Sequence, residues 1–397
     1  MSPLGNSFPA LYDSLYAMKS GVKIVPEWEK WNGLSTFVGG CVEDYDGQTI
    51  PRKMRRSMSR VSLLAVGSAQ QAITDAKLTD ADLRTERMGV AYGSTMGGTS
   101  AIEGHYRNLM ETGSLTEGVL STTFLQIMSH TCAANLALAF GIPGRVIASC
   151  TACAASTQAI GFAYETIRDG RCDRMLAGGA EELHAAVSGV FDVMGATSRG
   201  YNDKPHETPR PFSVDRDGIV VGEGGGTLIL EEWHAAVGRG AKIYGEIVGF
   251  ATNNDAHHMT NPSVEGMENV MRGALKDASL LSDEISYVNA HGTATQAGDH
   301  AESWAVNRVF GERMAISSIK GHFGHLMGAC GVIETAACLA MLEQGMIVPT
   351  KNLDVVDPKC APLNYVKGTP EVASLRYILK NSFAFGGINA SLIIAKA

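Results

Sequence analysis

The stretch RVIASCTACAASTQAIGFAYETI, residues 145–167, decides the fold. Its opening, RVIASC, has the apolar content of a strand buried on both faces. From Ala154 the apolar positions change to helical spacing, in a segment of mostly small residues that runs on to Gly170. A strand that turns into such a helix is a βα unit, and a helix with few bulky side chains packs very closely on a sheet or on another helix. Two cysteines, Cys150 and Cys153, stand at the turn.

The pattern recurs along the chain. RMGVAYGS (87–94), RMLAGGAEE (174–182) and GGTLILEEW (225–233) read as buried strands bounded by glycine, and residues 57–78 have helical spacing. A second series begins near Ala241. KIYGEIVGFATNND is followed by a helix around 264–280, ISYVNAHGT, a helix from Asp299, AISSIKG and a helix from about 331. Residues 314–341, MAISSIKGHFGHLMGACGVIETAACLAM, again place a strand before a small-residue helix. The chain ends in LRYILKNSFAFGGINASLIIAKA, two strands around a glycine turn. These elements predict an α/β protein whose related halves, residues 1–240 and 241–397, meet at a central helical layer. No Pro/Gly/Ser linker parts them, so one compact body is expected.

Composition narrows the function. The 397 residues are 45% apolar and 19% charged, an ordinary globular balance, and the net charge of −8 argues against a general nucleic-acid surface. Eight cysteines are too sparse for a disulfide framework, and Cys330 and Cys338 read as reduced core thiols. No run approaches the roughly 18 apolar residues of a membrane span, and the first residues lack the apolar core of a signal peptide, so a cytoplasmic location is expected. One local exception is PRKMRRSMSR (51–60), with Arg52, Lys53, Arg55, Arg56 and Arg60. It reads either as a solvated helix start or as a docking patch for an acidic partner.

Cys150-Thr-Ala-Cys153 admits several chemistries. A metal site would need a second ligand pair at similar spacing, and there is no other CxxC. At the start of a helix, Cys153 would face free N–H groups and the positive end of the dipole, which lowers a thiol pKa and makes it a nucleophile. Cys150, still on the strand, would be buried and inert; a buried structural Cys153 is the plain alternative. His291 in VNAHGTAT and His325 in KGHFGHLMG lie in glycine-flanked ends of strand-like runs, where α/β folds gather their sites. His322 and His325 form HxxH, a metal spacing with no third ligand at a helpful offset, and no metal is expected.

Six motifs now stand together: CTACAAS, AGGAEE, RPFSVDRDGIVVGEG, VNAHGTATQAGDHAE, SSIKGHFGHLMGA and NSFAFGGINASL. In this order they resemble the elongating β-ketoacyl-acyl carrier protein synthases of the thiolase fold, from about Leu4 to the end. The likeness is greatest to the discrete, type II enzymes similar to synthase II. It implies a layered α-β-α-β-α arrangement and a decarboxylative condensation of an acyl thioester with a malonyl unit. It also implies substrates borne on the phosphopantetheine of acyl carrier protein, with no metal or nicotinamide.

The resemblance assigns Cys153 as the acyl-bearing nucleophile and His291 with His325 as the pair that promotes decarboxylation. Lys320 and Glu302 match buried charged residues near that pair. Phe385 matches a gate in the segment holding Phe383 and Gly386, and its N–H with that of Cys153 matches the oxyanion hole. Thr293 and Thr295 match threonines on the phosphopantetheine arm, and Asp255 and Thr260 a mobile loop facing the gate. Histidine at both positions, with the cysteine kept, favours an active enzyme over a silent chain-length factor. A homodimer is implied, or a heterodimer with such a factor, and acidic carrier gives the arginine patch a partner.

Departures are also visible. The family has a strand before the segment matched here by MSPLGN, so either the start of this sequence omits that strand or a sheet edge is left unpaired. FAFGGIN replaces the commoner FGFGGTN, so Ala384 should stiffen the gate and Ile388 removes a hydroxyl. These changes leave room for a specialised polyketide or polyene role beside fatty-acid synthesis.

Overall fold

The computed structural model describes residues 1–397. Ten strands form two sheets. The first holds β1 (Met88–Gly93), β2 (Val146–Ser149), β3 (Arg174–Glu181) and β4 (Gly224–Glu231), in the order β2-β1-β3-β4. The second holds β5 (Glu246–Asn254), β6 (Tyr287–Asn289), β7 (Ala315–Ser317), β8 (Asn364–Tyr365), β9 (Tyr377–Ala384) and β10 (Ile388–Ala395), in the order β8-β7-β6-β9-β10-β5. Within each sheet the early strands are parallel and the last pairings antiparallel. β9 and β10 pair from Tyr377↔Ala395 to Ala384↔Ile388 around the turn Phe385–Gly387, the two-strand ending expected from the sequence.

Six helices complete the layers: α1 (Arg60–Asp75), α2 (Thr131–Phe140), α3 (Ala155–Arg168), α4 (Val264–Ala278), α5 (Gln296–Phe310) and α6 (Cys330–Gln344). α1 and α2 cover the outer face of the first sheet, α4 with α5 behind it covers the second, and α3 and α6 lie between the sheets. The small residues permit this middle layer. A Cβ on Gly331 would stand 2.4 Å from Thr157 N, so glycine is what lets α6 cross α3 there, and Val332 N donates to Ser156 Oγ at 3.1 Å. One core runs from Leu4 through Ala159 and Ile333 to Ile394, which makes a single body of both halves.

Two expectations need correction. RVIASC was expected to be buried, yet β2 is an edge strand with one neighbour and Val146 is exposed. Cys150, just beyond it, is exposed rather than buried, because the chain leaves the sheet there; its Sγ lies 3.5 Å from Ser129 O. The other edge, β4, has no strand along its outer side. Only Met1 pairs with it, exchanging both backbone bonds with Gly225 at 2.8 and 3.0 Å.

Candidate active site

Three turns at the ends of strands carry the reactive side chains. β2 leads through Thr151 into a tight turn, Ala152–Ala154, ahead of α3, and Ala152 adopts φ +47. β6 ends at Asn289 and delivers His291, followed by Ala294 at φ +69. β7 leads through the short helix Lys320–Phe323 to His325, followed by Met327 at φ +49. Non-glycine residues in the left-handed region are costly, and such strain collects at functional sites.

The three side chains converge in one pocket of about 330 Å³. Cys153 Sγ lies 3.0 Å from His325 Nε2. The rings of His291 and His325 are 5.3 Å apart, edge to face at 84°, and Phe383 packs on His291 with centroids 6.1 Å apart. His325 Nδ1 accepts from Met327 N at 3.2 Å and lies 3.0 Å from Cys330 Sγ. An amide can only donate, so Nδ1 is the acceptor nitrogen and Nε2–H is left to donate into the pocket. Burial, then the charges of Lys320 and Lys380, hold His325 well below the usual imidazole range; His291 is lowered by burial and Lys320 as well. Both rings are neutral donors at pH 7.

Cys153 corrects the expectation of a lowered pKa. Burial pushes its thiol up to about 12, outweighing Lys320 and its own backbone N–H, which pull the other way. At rest Cys153 is therefore a thiol. The His325 N–H and the Lys320 charge are the groups placed to favour its ionised form.

Glu302, on α5, accepts from His291 N at 2.8 Å and Gly292 N at 2.7 Å, fixing the turn that bears the histidine; burial raises its pKa to about 7. Lys320 is fully buried and paired with Glu334. Glu334 and Lys380, both fully buried, were missed by sequence reasoning. Their signal was available: ILKNSF is a strand with one lysine inside it, and Glu334 is the one acid within the small-residue run GACGVIETAACLAM.

Around the mouth, Thr293 and Thr295 share a 3.1 Å contact between hydroxyls, and Thr295 Oγ1 also caps α5 at Gly298 N. Phe385 is 40% exposed and packs on Phe191. The gate turn and the 255–260 segment are tied by backbone bonds, Asp255 N to Gly387 O at 2.9 Å and Gly386 N to Met259 O at 2.8 Å. A Cβ at Gly387, at φ +71, would come within 2.2 Å of Asp255 Oδ1, so that contact requires glycine. Cys153, Asp255, Thr260, Thr293, Thr295, Phe383 and Phe385 all line the pocket.

The basic segment divides. Arg52, Lys53 and Arg56 are exposed around the exposed Met54, and Arg55 is half-buried. Arg60 does not belong with them. It turns inward, pairs with Glu223 at 2.8 Å and donates to Val42 O at 2.9 Å, because the start of α1 is buried there.

The HxxH pair is split too. His322 Nδ1 faces Lys19 O at 3.2 Å and Nε2 faces Pro349 O at 3.0 Å; the neutral ring donates to one of these carbonyls and braces the chain there, away from His325. Ligand atoms of Cys153, His291 and His325 lie within 4.8 Å of one another and make the set that could hold a metal. Burial lowers His322 to about 4, although both carbonyls oppose the shift. An unfolded imidazole titrates near 6.5, so between that pH and about 4 the unfolded chain binds the proton and the fold does not. Stability is then lost as pH falls, by about 3 kcal/mol from this group. Urea midpoints at pH 7.5 and 4.5 should show a smaller acid loss in His322→Asn than in the unaltered chain.

Comparison with known proteins agrees with this geometry. Residues 1–236 match the N-terminal domain of beta-ketoacyl synthase, and residues 244–354 its C-terminal domain. The chain is 36% identical to 3-oxoacyl-[acyl-carrier-protein] synthase 1 of Haemophilus influenzae over 404 residues, covering 100% of this chain and 97% of the relative. A crystal structure of a beta-ketoacyl synthase from Burkholderia phymatum superposes with a TM-score of 0.96 at 45% identity, covering 100% and 97% of the two chains. The structure of the ishigamide ketosynthase/chain length factor superposes with a TM-score of 0.93 at 31% identity, covering 100% and 96%. The fold is thiolase-like, and the chain belongs to the β-ketoacyl synthase family.

Proposed function

We propose that the chain condenses an acyl thioester with a malonyl unit, both delivered by acyl carrier protein. The observation that carries this reading is the meeting of Cys153 Sγ, His325 Nε2 and the His291 ring in one buried pocket. In the first step Cys153 attacks the acyl thioester. The acyl–sulfur bond to the carrier breaks, and the proton of Cys153 leaves with the carrier thiol. In the second step the carboxylate bond of the malonyl unit breaks, carbon dioxide departs, and the electron pair becomes an enolate that receives N–H donation from His291 and His325. The enolate carbon attacks the acyl–Cys153 carbonyl and expels the thiolate, which takes up one proton. The N–H groups of Cys153 and Phe385 are assigned to the oxyanion, Thr293 and Thr295 to the phosphopantetheine arm, and Phe385 with Gly386, Asp255 and Thr260 to the gate. No step needs a metal or nicotinamide.

The product serves a fatty-acid or a specialised polyketide or polyene route, in the cytoplasm, and the division at residues 240 and 241 is part of the same reading. Intact-mass analysis after incubation with a panel of acyl-carrier proteins tests it. One acyl adduct per chain on Cys153 is expected; a panel that leaves the mass unchanged rejects it.

Acidic carrier is assigned to Arg52, Lys53, Arg55 and Arg56, with Met54 as the apolar centre of the patch. Reversing the charge of Arg55 and Arg56 together with glutamate should cut carrier-borne kcat/KM about tenfold or more at low salt, and leave alkylation of Cys153 by iodoacetamide unchanged. Equal losses in both assays would place the damage in the fold.

Pairing with a second copy is the assembly favoured by the surface beside β2. Met110, Phe124 and Leu138, on helices beside this open edge, and Leu120, in the loop between two of them, are all exposed, and exposed large apolar side chains gathered near an unpaired strand mark an interaction surface. A different second chain, as in the ishigamide ketosynthase/chain length factor, is the alternative. Sedimentation of the purified chain separates the two, since a homodimer forms without a second gene product.

A further inference from the structure

Two lysines share one carboxylate beneath the site. Glu334, inside α6, offers Oε1 to Lys320 Nζ, and its Oε2 lies 3.0 Å from Lys380 Nζ. Lys380 comes from β9, and its hydrogens are directed to Thr157 Oγ1 at 2.9 Å and to Ser382 Oγ. Its third N–H is left for Glu334, and the two heads form a buried ion pair. All three side chains are buried, and with both lysines protonated the cluster holds two positive charges against the one carboxylate of Glu334. Placing an uncompensated ammonium in the core is costly, and a neutral side chain would fill the same position without that cost.

Lys380 has a short route to the reactive groups. Thr157 lies one turn after Cys153 on α3, and Asn381, the next residue, approaches Glu302 under His291 at 3.5 Å. The other titratable groups around the cluster are Cys330 and Cys338 on α6, Tyr287 on the adjoining strand β6, Cys153, Glu302 and the two imidazoles; burial raises Tyr287, so its phenol stays neutral. Burial keeps the three thiols neutral. Of the two ammoniums, Lys380 is the one that burial makes easier to discharge, while Glu334 holds Lys320 charged.

We propose, on the basis of the condensing reading, that Lys380 is a positioning residue that acts through Glu334 and Lys320. Its charge holds His291 and His325 as neutral N–H donors and sets a positive field where the thiolate and enolate develop. Removing that charge makes a protonated ring less unfavourable, so the rings would take up a proton at higher pH.

The test is the pH profile of malonyl-carrier decarboxylation, from pH 4.5 to 8, with iodoacetamide alkylation of Cys153 measured alongside. In Lys380→Met the acid limb should move up by about one pH unit, giving a roughly tenfold lower relative rate on that limb. Lys380→Gln keeps polar contacts to Thr157 and Ser382 and should move the limb equally, so it serves if the methionine variant does not fold. Lys380→Arg restores the charge and should return the limb to its original place. A limb that stays put in both neutral variants overturns the proposal, as does an arginine variant displaced as far as they are. An unaltered chain that neither decarboxylates malonyl-carrier nor takes an acyl group rejects the condensing reading itself, a separate outcome.

Discussion

Replacing Cys153 by alanine should abolish acyl loading and lower condensation by about a thousandfold or more, since no other thiol lines the pocket and removal of a covalent nucleophile typically costs that much. Two measurements fix the cause. Intact mass should show no acyl adduct on any carrier in the panel, and iodoacetamide should no longer label the buried thiol. Cys150→Ala, which changes an exposed sulfur outside the pocket, should load normally. Loss of loading in Cys150→Ala with loading retained in Cys153→Ala would overturn the assignment of the nucleophile. The fold should tolerate Cys153→Ala well, because the side chain is small and sits in a turn whose backbone is held by its neighbours.

The two histidines should fail in different ways. His325 donates Nε2–H to Cys153 Sγ and stands next to His291, so His325→Ala should slow both thiol alkylation and decarboxylation. His291 makes no hydrogen bond to the sulfur, although a ring nitrogen lies within 4.8 Å of it; its Nδ1 is without a hydrogen-bond partner, and its ring lies between His325 and Phe383. His291→Ala should therefore spare alkylation and lower malonyl decarboxylation by about a hundredfold or more, the usual size of losing one preorganised donor. Measuring both rates in both variants gives a two-by-two result. Equal effects of the two substitutions on alkylation would contradict the geometry, and decarboxylation that survives both would remove the imidazoles from the chemistry.

Lys320 and Glu334 explain why these rings can do this work. A buried ammonium close to two imidazoles makes their protonation unfavourable, and the carboxylate keeps the ammonium itself in place. The same field should favour the thiolate once His325 donates to it. The apolar pocket that raises the resting thiol to about 12 thus holds the groups that offset this burial as charge develops.

Strands and helices were legible wherever the apolar pattern was continuous. RMGVAYGS, RMLAGGAEE and the final hairpin fall where the spacing placed them, because a strand covered on both faces must be apolar throughout. The helix Thr99–Thr112 was not read, since its exposed face and scattered Met and Tyr blur the period. RVIASC was read as buried because an edge strand that leaves apolar side chains in the open has the same composition as an interior one. Arg60 looked like its neighbours in the basic run, and only the position of Glu223 turned it inward.

By itself the sequence determined which residues could react and the order of elements carrying them. The six motifs placed Cys153, His291 and His325 at the ends of separate strands, and covalent order with local periodicity suffices for that. Tertiary structure alone decided the distances, the tautomer of His325, the protonation of the thiol and the pairing of Lys320 and Lys380 with Glu334. Those properties depend on burial and on charges brought together from residues 157, 320, 334 and 380, and a through-space field leaves no local trace in the chain.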